Sequence, residues 1–341
     1  MDFRLDREGI IEILQSRDPE LDRALREEAY RVKVGTVGAK VYLRGLVEIS
    51  NICRKNCLYC GIRRDMPCRR YELSEEEVLR SARTAAERRW GSIVIQGGER
   101  RDAEFVSKIT RLIRSIKSIE TGGEPLGITL SLGEQSREVY QEWFDAGAHR
   151  YLLRIEASNP DLYRKIHPSD DLHSYDRRLR ALMDLKEIGW QAGTGAMIGL
   201  PFQTAGDMAD DLLFYKEFDA PMIGMGPYIP HDETPLASEK YPSDAERFTL
   251  ALKMIALLRL LMPDINIASA TALEAMNPRG RELGILSGAN VIMPNLTPGT
   301  QRVKYDLYKG KTSVKTAIPE DKFEIGYGEW GDSLHFKGGN R

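Results

Sequence analysis

Short apolar runs alternate with amphipathic segments along most of this chain. The runs are continuous stretches rich in Val, Ile and Leu, and they occupy residues 41–49, 92–98, 127–133, 150–158, 190–200, 220–229, 265–272 and 289–295. Because polar and apolar residues do not alternate regularly within them, the runs predict parallel strands that are covered on both faces.

The segments between these runs carry helix signals. Residues 74–90 place Ser74 and Glu77 in a capping-box pattern at the start of an amphipathic stretch. Two further segments end at Gly147 and Gly189, and glycine is well suited to terminate a helix.

Eight alternations of strand and helix predict a complete (β/α)8 TIM-type barrel over residues 40–300, with an open doubly wound α/β sheet as the alternative. Residues 1–39 predict helices that pack on the barrel as an N-terminal extension. Residues 301–341, which are rich in Lys, Gly and Asp, predict an irregular tail. Active sites of such barrels lie at the C-terminal ends of the strands, so the loops that follow the strands are the first place to seek chemistry.

The composition is that of an ordinary globular protein, with 42% hydrophobic and 29% charged residues. Lys and Arg total 49 and Asp and Glu total 51, so the net charge of −2 argues against a nucleic-acid partner. No run of 18 apolar residues occurs, and the first residues mix charged and apolar positions at helical spacing. This pattern argues against a membrane span and indicates a cytoplasmic protein.

Candidate chemistry is concentrated in four cysteines between residues 53 and 68. Cys53, Cys57 and Cys60 form a C-x3-C-x2-C pattern after the first predicted strand, where a tight loop brings three thiolates together. Three sulfur ligands suit a 4Fe-4S cluster with one iron left open, since such a cluster normally takes four thiolates. A structural zinc site would need Cys68 as its fourth ligand, and three buried cysteines without a chemical role are the other alternative. Cys68 is otherwise interpreted as a free thiol.

The cysteine pattern, with an aromatic residue before its last cysteine, resembles that of the radical S-adenosylmethionine (SAM) superfamily. The resemblance implies that Cys53, Cys57 and Cys60 are the catalytic cluster ligands, that the open iron binds SAM, and that the reduced cluster cleaves SAM to a 5′-deoxyadenosyl radical. It also implies that Tyr59 lies against the adenine, with a buried aromatic residue as the alternative.

A second string, QGGE at residues 96–99, resembles the GGE motif of the same family. The resemblance assigns Gly97, Gly98 and Glu99 to the methionyl amino group of SAM, and glycine permits a close approach of the backbone.

Longer strings resemble, within that superfamily, the HydE family of FeFe-hydrogenase maturases more than methylornithine synthase or biotin synthase. They are EISNICRKNCLYCGIRRD, TLSLGE, RYLLRIEASNP, GAMIGLPFQT, GPYIPHDETPLA and GANVIMPNLTP. By this resemblance Arg154 and Arg178 face the SAM carboxylate and Glu156 faces the ribose hydroxyls. Charges at 154 and 156 inside an apolar run indicate an inward polar site, whereas Arg178, in an arginine-rich helix, has solvated surface as its alternative.

Further candidates follow from their position at the C-terminal ends of predicted strands. Ser131 and Glu134 follow the third strand and are expected on the SAM side of the cavity, with a helix-cap role as the alternative for Glu134. The expected substrate wall consists of Met225, Tyr228, His231, Thr271 and Met293, with Asn295 beside them. Packing is the alternative for the methionines, and a structural hydrogen bond is the alternative for the histidine.

The resemblance implies a radical SAM enzyme of FeFe-hydrogenase maturation that acts on a small organometallic substrate, a cysteine-bound Fe(CN)(CO)2 unit, with transient contacts to the other maturation proteins. One alternative is a methylornithine-synthase-like mutase that acts on an amino acid. Another is an iron-sulfur carrier, which would not need the polar residues assigned to SAM. Many HydE proteins carry further cysteines near the C-terminus for an accessory cluster, and this chain has none there.

Overall fold

The computed structural model describes residues 3–311 and 320–336. Its strands are β1 (Tyr42–Ser50), β2 (Ser92–Gly97), β3 (Glu120–Thr121), β4 (Glu124–Pro125), β5 (Gly127–Ser131), β6 (Arg150–Leu152), β7 (Gln191–Gly193), β8 (Met197–Ile198), β9 (Met222–Ile223), β10 (Gly226–Pro227), β11 (Asn266–Ile267) and β12 (Val291–Ile292). Its helices are α1 (Arg7–Gln15), α2 (Pro19–Val37), α3 (Glu75–Glu87), α4 (Ala103–Lys117), α5 (Arg137–Asp145), α6 (Pro160–Ile166), α7 (Tyr175–Ile188), α8 (Ala205–Phe218), α9 (Asp244–Leu261), α10 (Thr271–Met276), α11 (Gly280–Leu286) and α12 (Gly299–Arg302). Short 3-10 turns occupy Asp171–His173 and Pro235–Ser238.

Six of the strands form one curled, parallel sheet in the order β12-β1-β2-β5-β6-β7. The strands β8 and β10 form a separate parallel pair, as do β9 and β11. Helices follow most of these strands, so the chain has the predicted α/β architecture. An antiparallel hairpin of β3 and β4 lies outside this pattern and was not predicted from the sequence.

The predicted complete eight-stranded barrel is present in part, as a half-barrel sheet of six strands. Two isolated parallel bridges continue from the two edges of that sheet, one from Thr194, next to β7, to Ile223 of β9, and one from Val291 of β12 to Ala268, next to β11. All eight predicted apolar runs contain at least one strand. The strand in the run 150–158 is short: it ends at Leu152, and Glu156, whose φ is +66°, forms only an isolated parallel bridge with Ala196.

Local sequence signals predicted the start of α3 and the end of α7 correctly. Ser74 and Glu77 form the expected reciprocal capping box at the start of α3. Gly189 ends α7 with a φ of +105°, a conformation that favours glycine because it has no Cβ. Helix α4 buries one apolar face, with Phe105, Ile109 and Ile113 among its members, whereas α9 is buried along most of its length.

The N-terminal helices pack on the helical layer of the sheet, with α1 against α8 and α9 and with α2 against α9. A buried lysine joins them: Lys253 of α9 donates to the carbonyl of Ile13 at 3.0 Å and lies 3.0 Å from Asp22. The division of the chain into N-terminal helices (1–39), barrel (40–300) and tail (301–341) stays a prediction.

The stretch Phe323–Phe336 of the predicted tail covers the N-terminal end of the sheet. Val41 forms a parallel bridge with Ile325. Buried Arg44 and Asn266 donate to the carbonyl of Gly331 at 3.1 and 2.8 Å. Although it forms no named strand or helix, the described part of this stretch is therefore built into the fold.

Candidate active site

A cavity of about 320 Å³ opens among the C-terminal ends of the strands. Most of the side chains singled out in the sequence line it, namely Cys53, Cys57, Tyr59, Cys60, Gly97, Gly98, Glu99, Ser131, Arg154, Glu156, Arg178, Met225, Tyr228, Thr271 and Met293. Glu134 lies directly behind the wall, and His231 lies outside it. The position at the strand ends is the one that barrel geometry predicts.

One arginine holds the cysteine loop in shape. The guanidinium of Arg70 donates to the carbonyls of Asn51, Ile62, Arg64 and Met66 at 2.6 to 3.1 Å. A planar group with five donors can collect several carbonyls at once, so this side chain replaces the regular hydrogen bonding that a loop lacks.

The three thiols of the motif are gathered in the loop. The Glu99 N–H donates to the Cys53 sulfur at 3.3 Å, and the Cys60 N–H donates to the Cys57 carbonyl at 3.3 Å. Burial raises the pKa of Cys57 to about 12, so the free thiol is neutral and a metal is required to keep it as a thiolate.

The residues present fit an iron-sulfur cluster better than a single ion. No three His, Cys, Asp or Glu side chains converge on one metal position within residues 3–311 and 320–336. In a 4Fe-4S cluster each thiolate binds a different iron, so the thiols need not meet at one point. The adjacent Gly98 leaves room, because a Cβ there would lie 2.3 Å from the Ile52 carbonyl oxygen and 2.9 Å from the Cys53 Cβ.

Behind the cavity wall, Glu134 binds two cations. Its Oε1 accepts from Arg178 Nε at 2.6 Å and from Lys55 Nζ at 2.9 Å, and all three side chains are buried. Burial alone would raise the pKa of Glu134, but Arg178 and Lys55 outweigh it and lower the pKa to about 2. The carboxylate is therefore ionised at neutral pH and fixes both cations beside the cysteines.

Glu99 is held differently. Its Oε2 accepts the Glu134 N–H at 2.9 Å, while its buried Oε1 has no hydrogen-bond partner among the described residues. Burial raises the pKa of Glu99 despite the nearby Lys55. A cavity-lining carboxylate with a free buried oxygen is suited to accept a hydrogen bond from a ligand.

Arg154 and Glu156 form an ion pair at 3.1 Å on the cavity wall. The Arg154 Nε is buried without a hydrogen-bond partner in the described part of the chain, and the Glu156 Oε2 accepts no hydrogen bond there beyond its ion-pair contact with Arg154 Nη2. Burial raises the pKa of Glu156. Glu156 has a φ of +66°, and a positive φ costs free energy in a residue other than glycine. Contacts of the neighbouring residues must therefore hold the backbone in this conformation. Two residues later, Asp211 of α8 accepts the Ser158 N–H at 2.7 Å, and Tyr175 donates to the Ser158 carbonyl, so the chain that follows Glu156 is held on both sides.

The aromatic residue of the motif is fixed from behind. The Tyr59 hydroxyl lies 3.3 Å from His167 Nε2, and the two rings meet edge to face at 5.4 Å. His167 in turn lies 2.8 Å from the Tyr163 carbonyl through its Nδ1. Tyr59 therefore lines the cavity with its ring and hydroxyl held by His167.

The opposite wall is more apolar. Met225, Met293 and Thr271 line it, and the buried Tyr228 hydroxyl has no partner among the described residues. His231 is turned away: its Nε2 lies 3.6 Å from Asp306, and its ring packs by Gly61. Cys68 does not line the cavity, and its N–H donates to the Met66 carbonyl at 2.8 Å. Asn295 donates to Glu48 at 3.0 Å.

Sequence reasoning missed several residues of the cavity. Lys55 stands inside the cysteine motif, and Glu48 is a charged residue in an apolar strand, which is the signal that pointed to Arg154 and Glu156. Lys311 forms a buried ion pair with Glu48, and no sequence pattern marks it. The tail residues Leu307, Tyr305 and Tyr308 line the cavity as well.

Comparisons with known proteins decide the family. The family model described as the radical SAM superfamily matches residues 47–215, and that of the biotin and thiamin synthesis associated domain matches residues 226–316. The chain is 47% identical over 309 residues to the [FeFe] hydrogenase maturase subunit HydE of Thermotoga maritima. The aligned residues cover 90% of this chain and 85% of the relative. This chain belongs to the radical SAM superfamily.

Solved structures agree on the fold of this radical SAM enzyme. Methylornithine synthase (PylB) superposes with a TM-score of 0.74 at 21% identity, covering 99% of this chain and 90% of the other. The [FeFe]-hydrogenase maturase HydG superposes with a TM-score of 0.77 at 20% identity, covering 94% of this chain and 72% of the other. Radical SAM enzymes bind a 4Fe-4S cluster and SAM, so both cofactors predicted from the cysteine motif are confirmed.

Proposed function

We propose that this radical SAM enzyme is a HydE-type maturase, which cleaves SAM reductively and directs the 5′-deoxyadenosyl radical at a small substrate in the same cavity. The observation that carries the proposal is the pairing of high identity to the Thermotoga maritima HydE with one cavity that holds both the three cysteines and a set of buried, unpartnered polar atoms.

In this proposal Cys53, Cys57 and Cys60 hold the cluster, which supplies one electron and a Lewis-acidic iron to bound SAM. The protein provides the rest of the reaction environment. Glu134 keeps Lys55 and Arg178 fixed beside the cysteine loop.

The SAM side of the cavity is assigned by its free polar atoms. The Arg154 Nε can donate to a carboxylate, and the Glu156 Oε2 can accept from ribose hydroxyls. The Glu99 Oε1 can accept from the methionyl amino group, next to the close backbone approach at Gly98. Arg178 already donates through Nε and Nη1, so its role in the proposal is to position Arg154, whose carbonyl it binds.

The substrate side is assigned to the more apolar wall with Met225, Thr271 and Met293. We propose a small organometallic or amino-acid substrate, held against this wall and reached by the radical formed on the SAM side. Isolation from solvent is required, because a primary carbon radical abstracts hydrogen from most organic molecules. The other hydrogenase maturation proteins are the proposed transient partners.

We also propose that the half-barrel closes into a full barrel as a single unit over residues 40–300. The bridges of Thr194 to Ile223 and of Ala268 to Val291 support this, because they link β7 to β9 and β11 to β12. No helix in the described ranges combines the length and apolar character needed to cross a bilayer. The cytoplasmic location remains a prediction.

The test has two stages. The anaerobically reconstituted, dithionite-reduced protein should form 5′-deoxyadenosine and methionine from SAM, and an iron-sulfur carrier would not. Mixed with the other hydrogenase maturation proteins and the apo-hydrogenase, it should then support hydrogenase activation. Turnover of lysine to methylornithine without activation would instead assign the chain to the mutase alternative.

A further inference from the structure

The turn that follows β6 carries a strained residue of the cavity wall. Glu156 has a φ of +66°, and its side chain pairs with Arg154 at 3.1 Å. The Glu156 N–H donates to the Gly195 carbonyl at 3.0 Å, and the Glu156 carbonyl accepts the Met197 N–H at 3.4 Å. A conformation of this kind persists only where the surrounding structure stabilises it, so the contacts of the next residues in the turn are important.

Helix α8 binds this turn with two carboxylates that lie one helical turn apart. Asp211 accepts the Ser158 N–H at 2.7 Å, and Asp207 accepts from the Asn159 side-chain amide at 2.7 Å. Residues four positions apart lie on the same face of a helix, so both carboxylates point to the turn together. Tyr175 of α7 donates to the Ser158 carbonyl. Side chains therefore bind both main-chain polar groups of Ser158.

Asp211 is a buried carboxyl group without a cation. It is 1% exposed, its Oδ2 has no hydrogen-bond partner, and it forms no ion pair with any residue of the described ranges. Burial raises the pKa of Asp211 to about 7, and the neighbouring carboxylates of Asp207 and Asp210 add to this shift. A neutral asparagine could accept the Ser158 N–H without this penalty, so the cost of the charge calls for a role beyond packing.

The charged groups around Asp211 are occupied elsewhere. Arg7 of α1 binds Asp210 at 2.6 Å. The buried cations of α9 are held by other partners, namely Arg247 by Asp244, Lys253 by Asp22 and Arg259 by the Gly288 carbonyl. The titratable groups nearby are Tyr175 and Tyr215, and burial raises the pKa of both. The charges of Asp211, Arg154 and Glu156 also act on the pKa of Tyr215, which places this side chain between α8 and the cavity wall.

We infer that Asp211 is a positioning residue for SAM, whose carboxylate holds the turn at Ser158 and thereby keeps Glu156 in the conformation that binds the ribose hydroxyls. The inference rests on the proposed function, in which Glu156 is a SAM ligand. A carboxylate accepts a stronger hydrogen bond from an N–H than a neutral carbonyl group does. Removing the charge therefore loosens the turn, and SAM binds only the fraction of molecules in which Glu156 is correctly placed.

This role gives SAM binding a dependence on pH. The carboxylate of Asp211 is ionised above about pH 7 and protonated below it. The contribution of the ionised turn to SAM affinity is therefore present at pH 8 and lost toward pH 6. The amino group of SAM titrates in a nearby range, but it does so equally with every variant, so affinities are compared at the same pH.

The experiment measures the equilibrium dissociation constant of SAM for the cluster-loaded protein between pH 6 and 8, without reductant so that SAM is not cleaved. The variant is Asp211→Asn, which keeps the size and one acceptor of the side chain. The matched control is Asp210→Asn, which removes the same charge from the next residue of α8 but leaves the turn untouched. Iron content gives the cluster-loaded fraction of each protein.

We expect Asp211→Asn to weaken SAM binding about five- to tenfold at pH 8, as a charge-assisted hydrogen bond becomes a neutral one, and less than about twofold at pH 6. Asp210→Asn should match the wild type at both pH values. Tyr175→Phe, which removes the other contact of Ser158 without removing a charge, should weaken binding equally at both pH values.

Two further measurements separate positioning from a general structural role. The urea midpoint of Asp211→Asn at pH 8 should not fall below that of the wild type, because a raised pKa means that the buried charge costs stability there. In a Glu156→Gln background, Asp211→Asn should change the SAM affinity by less than about twofold, since the residue through which it acts is already altered.

Equal SAM affinities of the wild type and Asp211→Asn at pH 8 would overturn the inference. A loss of the same size at pH 6 and pH 8, a loss of stability that accompanies the loss of binding, or an undiminished effect in the Glu156→Gln background would overturn it as well. A wild type that binds no SAM at any pH would instead overturn the proposed function itself.

Discussion

Replacing Glu134 by glutamine is the most informative change to the ionic cluster behind the cavity. Glutamine keeps the size and one carbonyl oxygen of the side chain but removes its charge. Lys55 and Arg178 are buried within 3 Å of that carboxylate, so the variant leaves two buried cations without their shared anion. We expect a large loss of stability, because breaking a buried ion pair from one side typically costs about 3 to 5 kcal/mol.

The pKa of Glu134 provides a second estimate. A carboxyl group with a pKa of about 2 in the folded protein and the ordinary value of 4.5 in the unfolded chain contributes about 3 kcal/mol at neutral pH. Because the folded pKa is the lower one, this contribution is complete above pH 4.5 and is lost as the pH falls toward 2. The stability difference between the wild type and Glu134→Gln should therefore stay constant from pH 8 to 5 and shrink only below that.

The assay is urea unfolding of the cluster-free protein under anaerobic conditions, followed by far-UV circular dichroism and tryptophan fluorescence. The matched control is Glu76→Gln, which breaks the exposed pair with Arg80 and should change the free energy of unfolding by less than about 0.5 kcal/mol. A loss below 1 kcal/mol at pH 7 for Glu134→Gln, or a difference that changes between pH 8 and 5, would refute the reasoning.

Three further predictions concern the chemistry. Alanine at any one of the three motif cysteines should abolish deoxyadenosine formation and lower the iron content, whereas Cys68→Ala should keep both near the wild-type values; a loss with Cys68→Ala as complete as with the others would contradict the ligand assignment. Glu156→Gln should weaken SAM binding by about 1.5 to 3 kcal/mol in equilibrium titrations with the cluster retained, and unchanged affinity would remove Glu156 from the site. Thr271→Val and Met293→Ala should lower hydrogenase activation while SAM cleavage persists, and a parallel loss of both activities would contradict the separation of the two walls.

Much of the fold could be predicted because its signals are local. The capping box at Ser74 and the left-handed glycine at Gly189 depend on a few neighbouring residues, and both occur as expected. Continuous apolar runs predicted buried parallel strands, since a strand covered on both faces has no polar side. The length of a strand is set by tertiary contacts instead, and within the run 150–158 regular pairing ends at Leu152 and returns only as an isolated bridge at Glu156.

The site was predictable where a charge interrupts an apolar run. Arg154 and Glu156 carried that signal, and the structure places both on the cavity wall, where the Arg154 Nε has no hydrogen-bond partner among the described residues. Glu48 carried the same signal and was missed. The role of Lys55 could not be assigned from the sequence, because it depends on an ion pair with Glu134, which lies 79 residues later in the chain.

The tail shows why irregular segments resist sequence reasoning. Hydrophobic periodicity reports on strands and helices, and the described part of the chain after residue 302 forms neither. Nevertheless, its first part covers the cavity: the Gly61 N–H donates to the Leu307 carbonyl at 3.0 Å, and Lys311 pairs with Glu48. These contacts join residues more than 240 positions apart, and the composition of the tail does not predict them.

The same tail also covers the opposite end of the sheet, where Asp332 forms an ion pair with buried Arg150 and Gly331 accepts from Arg44. Burying two arginines is costly unless their charge and their donors are satisfied, so these contacts stabilise the tail in place as much as they stabilise the strands. A chain that generates a carbon radical must keep both ends of its cavity closed to solvent and to foreign hydrogen donors. The described residues of the tail, 303–311 and 320–336, therefore contribute hydrogen-bonding groups and charges to both ends of the sheet rather than a further layer of regular structure.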